Sequence, residues 1–220
     1  MKKIVFVFLC LFVLFSCSTN EIHSDISEKV KSWEEITILA LWDSITYWYK
    51  VDIDKPYPIQ LENKLRENSY NYSIKNYWVS WDESDDLLAR IDEILENNIE
   101  ADIAILTIWW NDWLKKRSTS EMKENILEII EKLEEKNIIV VFSWMKLPIF
   151  FGWTYSDNFE EVYKEIANEK NVYFYPYFLK WLWISVENNQ ADNIHPTGTW
   201  YTIISNNLYD FFDKNGLLFK

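Results

Sequence analysis

The sequence contains few of the residues that thiol, metal and nucleic-acid chemistry require. It has 2 cysteines and 2 histidines in 220 residues, and Cys10 falls inside an N-terminal apolar run. A mature domain therefore has no cysteine pair for a disulfide or zinc, and we expect no thiol nucleophile. With 22 basic against 35 acidic residues, a net charge of −13 argues against binding to a phosphate backbone. No glycine-rich phosphate loop or histidine cluster is present, so we expect no cofactor and no metal.

Glycine is also scarce, and tryptophan is correspondingly frequent. The chain has 3 glycines, whereas average usage of about 7% predicts about fifteen. It has 13 tryptophans. Both counts depart far enough from average usage to require an explanation.

The remaining composition is that of a globular protein with one ordinary domain. Hydrophobic residues make up 49% and charged residues 26% of the chain. Lys2 and Lys3 precede an apolar run that is too short to span a membrane, which predicts an export signal over residues 1–17. The end of that run, Leu14-Phe15-Ser16-Cys17, resembles the lipobox of bacterial lipoproteins, which implies lipid attachment at Cys17. Ordinary secretion without lipidation is the alternative.

The rest of the chain is predicted to alternate between buried strands and amphipathic helices. A polar tether over 18–35 precedes a domain over 36–220. Strict alternation predicts a parallel sheet covered by helices on both faces, with functional groups at the carboxyl ends of the strands. The predicted strands are Ile36–Leu41, Ile74–Tyr77, Asp102–Ile108, Ile138–Phe142 and Val172–Tyr175. The predicted helices are Pro58–Glu67, Ser84–Leu95, Ser120–Glu135, Asn158–Glu169 and Thr199–Phe212.

Polar residues follow several of these strands. Ser44 comes after the first, and Asn111 and Asp112 come after the third. Near the C-terminus, Asp192 precedes His195, the one histidine outside the predicted tether. A carboxylate three residues away can orient an imidazole that then takes a proton from a serine. For Asp43 and Asp112, hydrogen bonds to loop backbone are a better interpretation than a metal site or a second catalytic acid.

Together these segments resemble the SGNH, or GDSL-type, hydrolases over about residues 36–208, and most closely the bacterial arylesterase and thioesterase/lysophospholipase branch. WDSITYWY is similar to GDSxxxGY, NYWVSWDES to NAGVSGDTS, TIWWNDWL to LGGNDGL, and DNIHPTGTWY to DGIHPNxxGY. The resemblance implies an α/β fold, specifically a three-layer α/β/α sandwich with a flavodoxin-like parallel sheet of about five strands. It implies a catalytic triad of Ser44, Asp192 and His195. It also implies an oxyanion hole formed by the backbone N–H groups of Ser44 and of residue 81, here Trp81, and by the side-chain amide of Asn111.

The departures from the family pattern share one form, because tryptophan stands where the pattern has glycine. This holds at positions 42, 48, 78, 81, 109, 110, 113, 144, 181 and 200. Glycine serves such turns because it adopts positive φ, which costs tryptophan about 1–3 kcal/mol per site. The hypothesis is that UGA codons, which some bacterial lineages read as glycine, have been translated as tryptophan. Trp33, Trp153 and Trp183 match no family glycine firmly, and they are either genuine tryptophans or further cases of the same kind.

The expected substrate is a small-molecule or lipid ester. An apolar stretch, Leu147-Pro148-Ile149-Phe150-Phe151, occupies the place where the resembled branch lines its acyl site, which favours acyl or aryl esters. The protein is expected to be exported and to reach the membrane through an N-terminal lipid. Two alternatives remain: a carbohydrate O-acetylesterase that acts on cell-surface glycans, and a non-catalytic module that binds sugars through its tryptophans.

Overall fold

The structure, a computed structural model, describes residues 26, 34–42, 56–108, 110–144, 153–176, 178 and 197–219. The described residues form five strands and six helices. In chain order they are β1 (Ile36–Trp42), α1 (Tyr57–Glu67), β2 (Tyr72–Trp78), α2 (Ser84–Glu96), β3 (Ile103–Thr107), α3 (Trp110–Leu114), α4 (Thr119–Glu135), β4 (Ile139–Ser143), α5 (Trp153–Glu169), β5 (Tyr173–Tyr175) and α6 (Gly198–Lys214).

The five strands form one parallel sheet in the order β2-β1-β3-β4-β5. This is the flavodoxin-like order, in which the chain reverses its direction of winding beside β1. Helices α1 and α6 pack together, whereas α2 packs on α4 and α4 on α5. The two helix groups cover the two faces of the sheet, and the predicted three-layer α/β/α architecture is confirmed.

Strands β3 and β4, in the middle of the sheet, are buried along their whole length. Every residue of β3 and β4 is buried, and the apolar positions of α2 and α4 pack onto the sheet. Each fully buried leucine or isoleucine side chain stabilises the folded state by about 1.5–3 kcal/mol. This burial fixes the ends of the strands, and with them the start of every loop at the carboxyl edge.

Strand β2 lies at the edge of the sheet and is fastened to the C-terminal tail. The hydroxyl of Tyr72 donates a hydrogen bond to the carbonyl of Leu217 at 2.8 Å. The same hydroxyl accepts one from the backbone N–H of Phe219 at 2.9 Å. These two hydrogen bonds therefore attach the C-terminal tail to β2.

In the described part of the chain, no helix has the length and apolar character needed to cross a membrane. The predicted signal over 1–17 and most of the predicted tether, including Cys17, lie outside the described residues.

Candidate active site

Three strands end level with one another at the carboxyl edge of the sheet. Trp42, the last residue of β1, is in register with Trp78 on one side and with Thr107 on the other. The segments that follow these strands therefore leave the sheet side by side. Residue 81 follows β2 and Asn111 follows β3. The predicted triad of Ser44, Asp192 and His195, together with Asp43, lies outside the described residues.

Trp81 has the backbone conformation that glycine favours. Its φ is +68°, in the left-handed region, and its side chain is 63% exposed. A bulky side chain at such a φ costs about 1–3 kcal/mol. The local geometry at position 81 is thus that of the glycine in the family pattern.

The expectation of positive φ does not extend to the other tryptophans at glycine positions of the pattern. Seven of the ten positions are described (42, 78, 81, 110, 113, 144 and 200), and only Trp81 among them has a positive φ. Trp42 and Trp78 are strand residues, and Trp110, Trp113 and Trp200 lie in helices. Strands and helices use negative φ, which any side chain adopts. The predicted backbone strain at these six positions is therefore wrong.

Burial, rather than strain, is what five of these six other tryptophans have in common, and Trp78 is partly buried. Trp42, Trp110, Trp113, Trp144 and Trp200 are all buried. A sugar-binding surface needs exposed rings, so this burial argues against the module alternative. The indole N–H groups of Trp42, Trp144 and Trp200 have no hydrogen-bond partner among the described residues. Each such group costs about 1–3 kcal/mol when it is buried.

Asn111 is held by the segment that carries residue 81. Its side chain is fully buried in α3, and its amide nitrogen donates a hydrogen bond to the carbonyl of Asp82 at 2.8 Å. The amide oxygen of Asn111 has no partner among the described residues. Because an amide carries two N–H groups, the second remains for another acceptor. A fixed amide donor of this kind can stabilise a negative oxygen.

Asp112, the next residue, is bound by Ser84 at the start of α2. Its two carboxylate oxygens accept the backbone N–H of Ser84 at 3.2 and 3.0 Å, and one of them accepts the Ser84 hydroxyl at 2.6 Å. Burial raises the pKa of Asp112 to about 6, against the opposing effect of the Ser84 hydrogen bonds. The prediction that Asp112 bonds loop backbone is confirmed.

An ion pair between a buried carboxylate and two partly exposed cations joins the same two segments. Glu83 is buried, and its carboxylate contacts the side chains of Lys115 and Arg117, which follow α3. The hydrogen bond from Arg117 lowers the pKa of Glu83 below its usual value. Asp82 pairs with Arg90, but burial still raises its pKa. The lowered pKa keeps Glu83 ionised at neutral pH, so it forms charged contacts with Lys115 and Arg117.

Among the described residues, Glu83, Asp85 and Asp86 have the spacing of a set of cation ligands. Each of these carboxylates already has a partner in the chain. Glu83 binds Lys115 and Arg117, Asp85 binds Arg117 at 3.3 Å, and Asp86 accepts the backbone N–H of Glu83 at 3.1 Å.

The sequence-based interpretation missed the residues that join the two segments. Glu83 pairs with Lys115 and Arg117, and Ser84 pairs with Asp112. The partners are about thirty residues apart in the sequence, and no motif indicates such a pairing. The available signal was composition alone, since Glu83 and Ser84 are polar residues at the start of a predicted helix.

Comparison with known proteins places the chain in a family. Residues 40–203 match the GDSL-like Lipase/Acylhydrolase family. The chain is 27% identical to an arylesterase of Vibrio mimicus over 84% of this chain and 86% of that protein. It is 26% identical to the esterase TesA of Pseudomonas aeruginosa over 73% of this chain and 79% of that protein.

Solved structures agree with this fold. A crystal structure of TesA superposes with a TM-score of 0.77 at 24% identity, covering 81% of this chain and 98% of that one. AlinE4, an SGNH-hydrolase family esterase, superposes with a TM-score of 0.68 at 28% identity, covering 83% and 97%. The chain belongs to the GDSL-like Lipase/Acylhydrolase family and is an ester-hydrolysing enzyme.

Proposed function

We propose that the protein is a serine esterase that hydrolyses acyl or aryl esters, including thioesters and lysophospholipids. The observation that carries the proposal is the buried side-chain amide of Asn111, fixed to the carbonyl of Asp82 directly beside residue 81. Two donors that the family pattern assigns to the oxyanion hole thus belong to neighbouring, joined segments.

The topology of the sheet supports the position of the nucleophile. Strand β1 lies between β2 and β3, and Ser44 is two residues beyond its last residue, Trp42. Two residues of extended chain span about 7 Å at most. This short reach supports the proposal that Ser44 acts near the switch point of the sheet, close to the segments that carry residue 81 and Asn111.

In the proposed acylation step, His195 removes the proton of the Ser44 hydroxyl while its oxygen attacks the ester carbonyl carbon. Asp192 holds the imidazole in the required tautomer. The carbonyl oxygen becomes negative and accepts hydrogen bonds from the backbone N–H groups of Ser44 and residue 81 and from the Asn111 amide. The tetrahedral intermediate collapses, the imidazolium gives its proton to the leaving alcohol or thiol, and an acyl-enzyme remains.

Deacylation follows the same steps as acylation, with a water molecule as the nucleophile in place of Ser44. His195 takes a proton from water as the water oxygen attacks the acyl carbon, and the same donors stabilise the second oxyanion. Collapse of this intermediate breaks the bond to Ser44 Oγ, which regains the proton from His195. The products are a free carboxylic acid and the regenerated serine.

The test of the nucleophile is Ser44→Ala, with Ser205→Ala as a matched control. Ser205 is a buried serine in α6 whose hydroxyl donates to the carbonyl of Thr202 at 3.0 Å. We expect Ser44→Ala to lower kcat on p-nitrophenyl butyrate by at least about 10³-fold, and Ser205→Ala to leave it within about twofold. Esterase activity that persists in Ser44→Ala removes Ser44 from the mechanism.

The acyl group is tested with p-nitrophenyl esters from acetate to laurate. Similarity to an arylesterase, and to a thioesterase 1/protease 1/lysophospholipase L1 of Escherichia coli at 24% identity, supports activity on aryl esters, thioesters and lysophospholipids rather than on acetate alone. Activity confined to acetate, together with acetate release from acetylated glycan, would identify the protein as a carbohydrate O-acetylesterase.

We also propose that the natural polypeptide carries glycine at most of the positions where tryptophan replaces the family glycine. The left-handed φ of Trp81 and the unpaired buried indole N–H groups of Trp42, Trp144 and Trp200 support this. At Trp42 the indole ring centre lies 4.1 Å from that of Tyr57, in space that a glycine would leave to its neighbours.

The codons decide this proposal. UGA at positions 42, 81 and 109, and peptide masses from the native organism with glycine at those positions, are the expected results. UGG codons there, or masses that correspond to tryptophan, contradict it. The assays of ester hydrolysis use both versions of the chain, the printed one and one with glycine at the ten positions.

A further inference from the structure

We propose that Ser84 and Asp112 are positioning residues for ester hydrolysis. Their hydrogen bonds form a clasp, defined here as the contacts between residues 81–84 and α3, that sets the distance between the two oxyanion-stabilising donors, the N–H of residue 81 and the amide of Asn111. The inference rests on the proposed function, because it assigns a role relative to that oxyanion hole.

The clasp consists of two sets of hydrogen bonds side by side, one between neutral groups and one to a carboxylate. Asn111 donates to the carbonyl of Asp82 at 2.8 Å, and the next residue, Asp112, accepts the backbone N–H and the hydroxyl of Ser84. Both links join consecutive residues of α3 to residues two apart in the segment after β2. Two links at this spacing fix both separation and orientation, whereas one link leaves a hinge.

The clasp is buried and is supported from a third element. Ser84, Asn111 and Asp112 are each at most 2% exposed. The side-chain amide of Asn125, in α4, donates to the Ser84 hydroxyl at 3.0 Å. The hydroxyl therefore accepts one hydrogen bond and donates another, which leaves it a single orientation.

The position of residue 81 depends on this clasp. It has a left-handed backbone conformation three residues before Ser84, in a turn closed by a long hydrogen bond of 3.4 Å from the N–H of Asp82 to Val79. That bond is near the limit of useful length. The contacts with α3 are shorter, so they hold the turn more firmly than its own backbone does. A displacement of about 1 Å at a reacting group can cost about 10²-fold in rate.

The experiment measures ester hydrolysis by Ser84→Ala, which removes the hydroxyl, and by Asp112→Asn, which replaces one accepting oxygen with a donor. Matched controls are Ser205→Ala and Asp102→Asn. Asp102 is a buried aspartate that accepts the backbone N–H of Thr37 at 2.9 Å, at the opposite, amino end of the sheet. Ser84→Thr keeps the hydroxyl and serves as the rescue variant. All variants are made in whichever version of the chain, printed or glycine-bearing, shows esterase activity.

We expect kcat to fall about 10-fold to 100-fold in Ser84→Ala and in Asp112→Asn, with KM within about twofold, because the loss is confined to the charged transition state. The affinity for a boronic acid that mimics the tetrahedral intermediate should fall by the same factor. Ser84→Thr should recover most of kcat, and the two controls should keep it.

Several outcomes contradict the inference. A kcat within twofold of the parent in Ser84→Ala, with loss of activity in Ser44→Ala, leaves the serine esterase intact and overturns the clasp. Equal losses in Ser84→Ala and Ser205→Ala, in parallel with a lower Tm, assign both serines to folding alone. Activity that survives Ser44→Ala removes the proposed function itself. If Asp112→Asn fails to fold, the kcat values of Ser84→Ala and Ser84→Thr test the inference.

Discussion

Asp112 is an ionisable side chain that is only 2% exposed, and its charge opposes folding. Its pKa is raised to about 6 from an ordinary value near 3.8, first by burial and then by the neighbouring charge of Glu83. Asp112 lines one cavity together with Ser84, Asp85, Arg117, Glu121, Met122 and Asn125. At neutral pH the carboxylate must be ionised to accept both Ser84 hydrogen bonds without competition from its own proton.

The pH dependence of stability follows from the sign of this shift. A carboxyl whose folded pKa exceeds its unfolded pKa binds a proton more tightly when folded, so the free energy of unfolding falls as pH rises from about 4 through 6. We expect the difference in unfolding free energy between the parent and Asp112→Asn to fall by about 2 kcal/mol between pH 4 and pH 7. Urea denaturation at several pH values measures it. A pH-independent difference contradicts the raised pKa.

Trp81 allows a prediction about a single backbone position. We expect Trp81→Gly to raise the free energy of unfolding by about 1 kcal/mol, because glycine adopts a φ of +68° without a steric penalty. Val79→Gly, in the same segment but without a positive φ, should lower it by about 1 kcal/mol. Thermal unfolding of the two variants compares them. A loss of stability in Trp81→Gly means that the indole packs more usefully than its 63% exposure indicates.

At the scale of elements, hydrophobic pattern predicted the strands and the long helices but not the short one. The five strands and four of the five longer helices fall close to their predicted bounds, because buried faces impose a regular spacing of apolar residues. The predicted start of α5 at Asn158 is wrong, since the helix begins five residues earlier at Trp153. Strand β2 begins at Tyr72 rather than Ile74, since Tyr72 and Ser73 pair with the start of β1. Helix α3 spans five residues, too few for a helical period to be recognised.

The candidate site was predictable to a similar extent. Asn111 and residue 81 were identified through resemblance, and Asp112 was correctly assigned to backbone hydrogen bonding. Its partner was not identifiable, because Ser84 is 28 residues away and the pairing depends on how β2 and β3 flank β1. Contacts of that kind arise from topology rather than from local sequence.

Helix α2 begins with a reciprocal capping arrangement that can be tested by itself. The N–H of Glu83 donates to the carboxylate of Asp86 at 3.1 Å, while the Glu83 side chain accepts a backbone N–H of the first turn. We expect Asp86→Ala to lower the free energy of unfolding by about 1 kcal/mol. Asp92→Ala, which removes an exposed ion pair with Lys132, should change it by at most about 0.5 kcal/mol. Equal effects of the two variants contradict a role for the cap.

For the whole molecule, we propose that the acidic domain is exported and anchored by a lipid on Cys17. The basic start, the short apolar run and the lipobox-like end support this, and the net charge of −13 gives the domain no attraction of its own to an anionic membrane surface. A lipid would therefore be the feature that keeps the enzyme near lipid esters.

We expect Cys17→Ser to move the full-length protein from the membrane fraction to the soluble or secreted fraction and to abolish labelling by a fatty-acid analogue. Cys10→Ser, within the predicted signal, is the matched control and should change neither. Retention of Cys17→Ser in the membrane fraction, with no label in either protein, contradicts lipidation and leaves the apolar run as the anchor.

The bond between the Tyr72 hydroxyl and the tail determines where the gene can be shortened. A chain that stops before Leu217 deprives this buried hydroxyl of both its acceptor and its donor. A buried polar group without a partner costs about 1–3 kcal/mol of folding free energy. Expression clones should therefore keep the tail through Phe219, and fusion partners belong after Lys220.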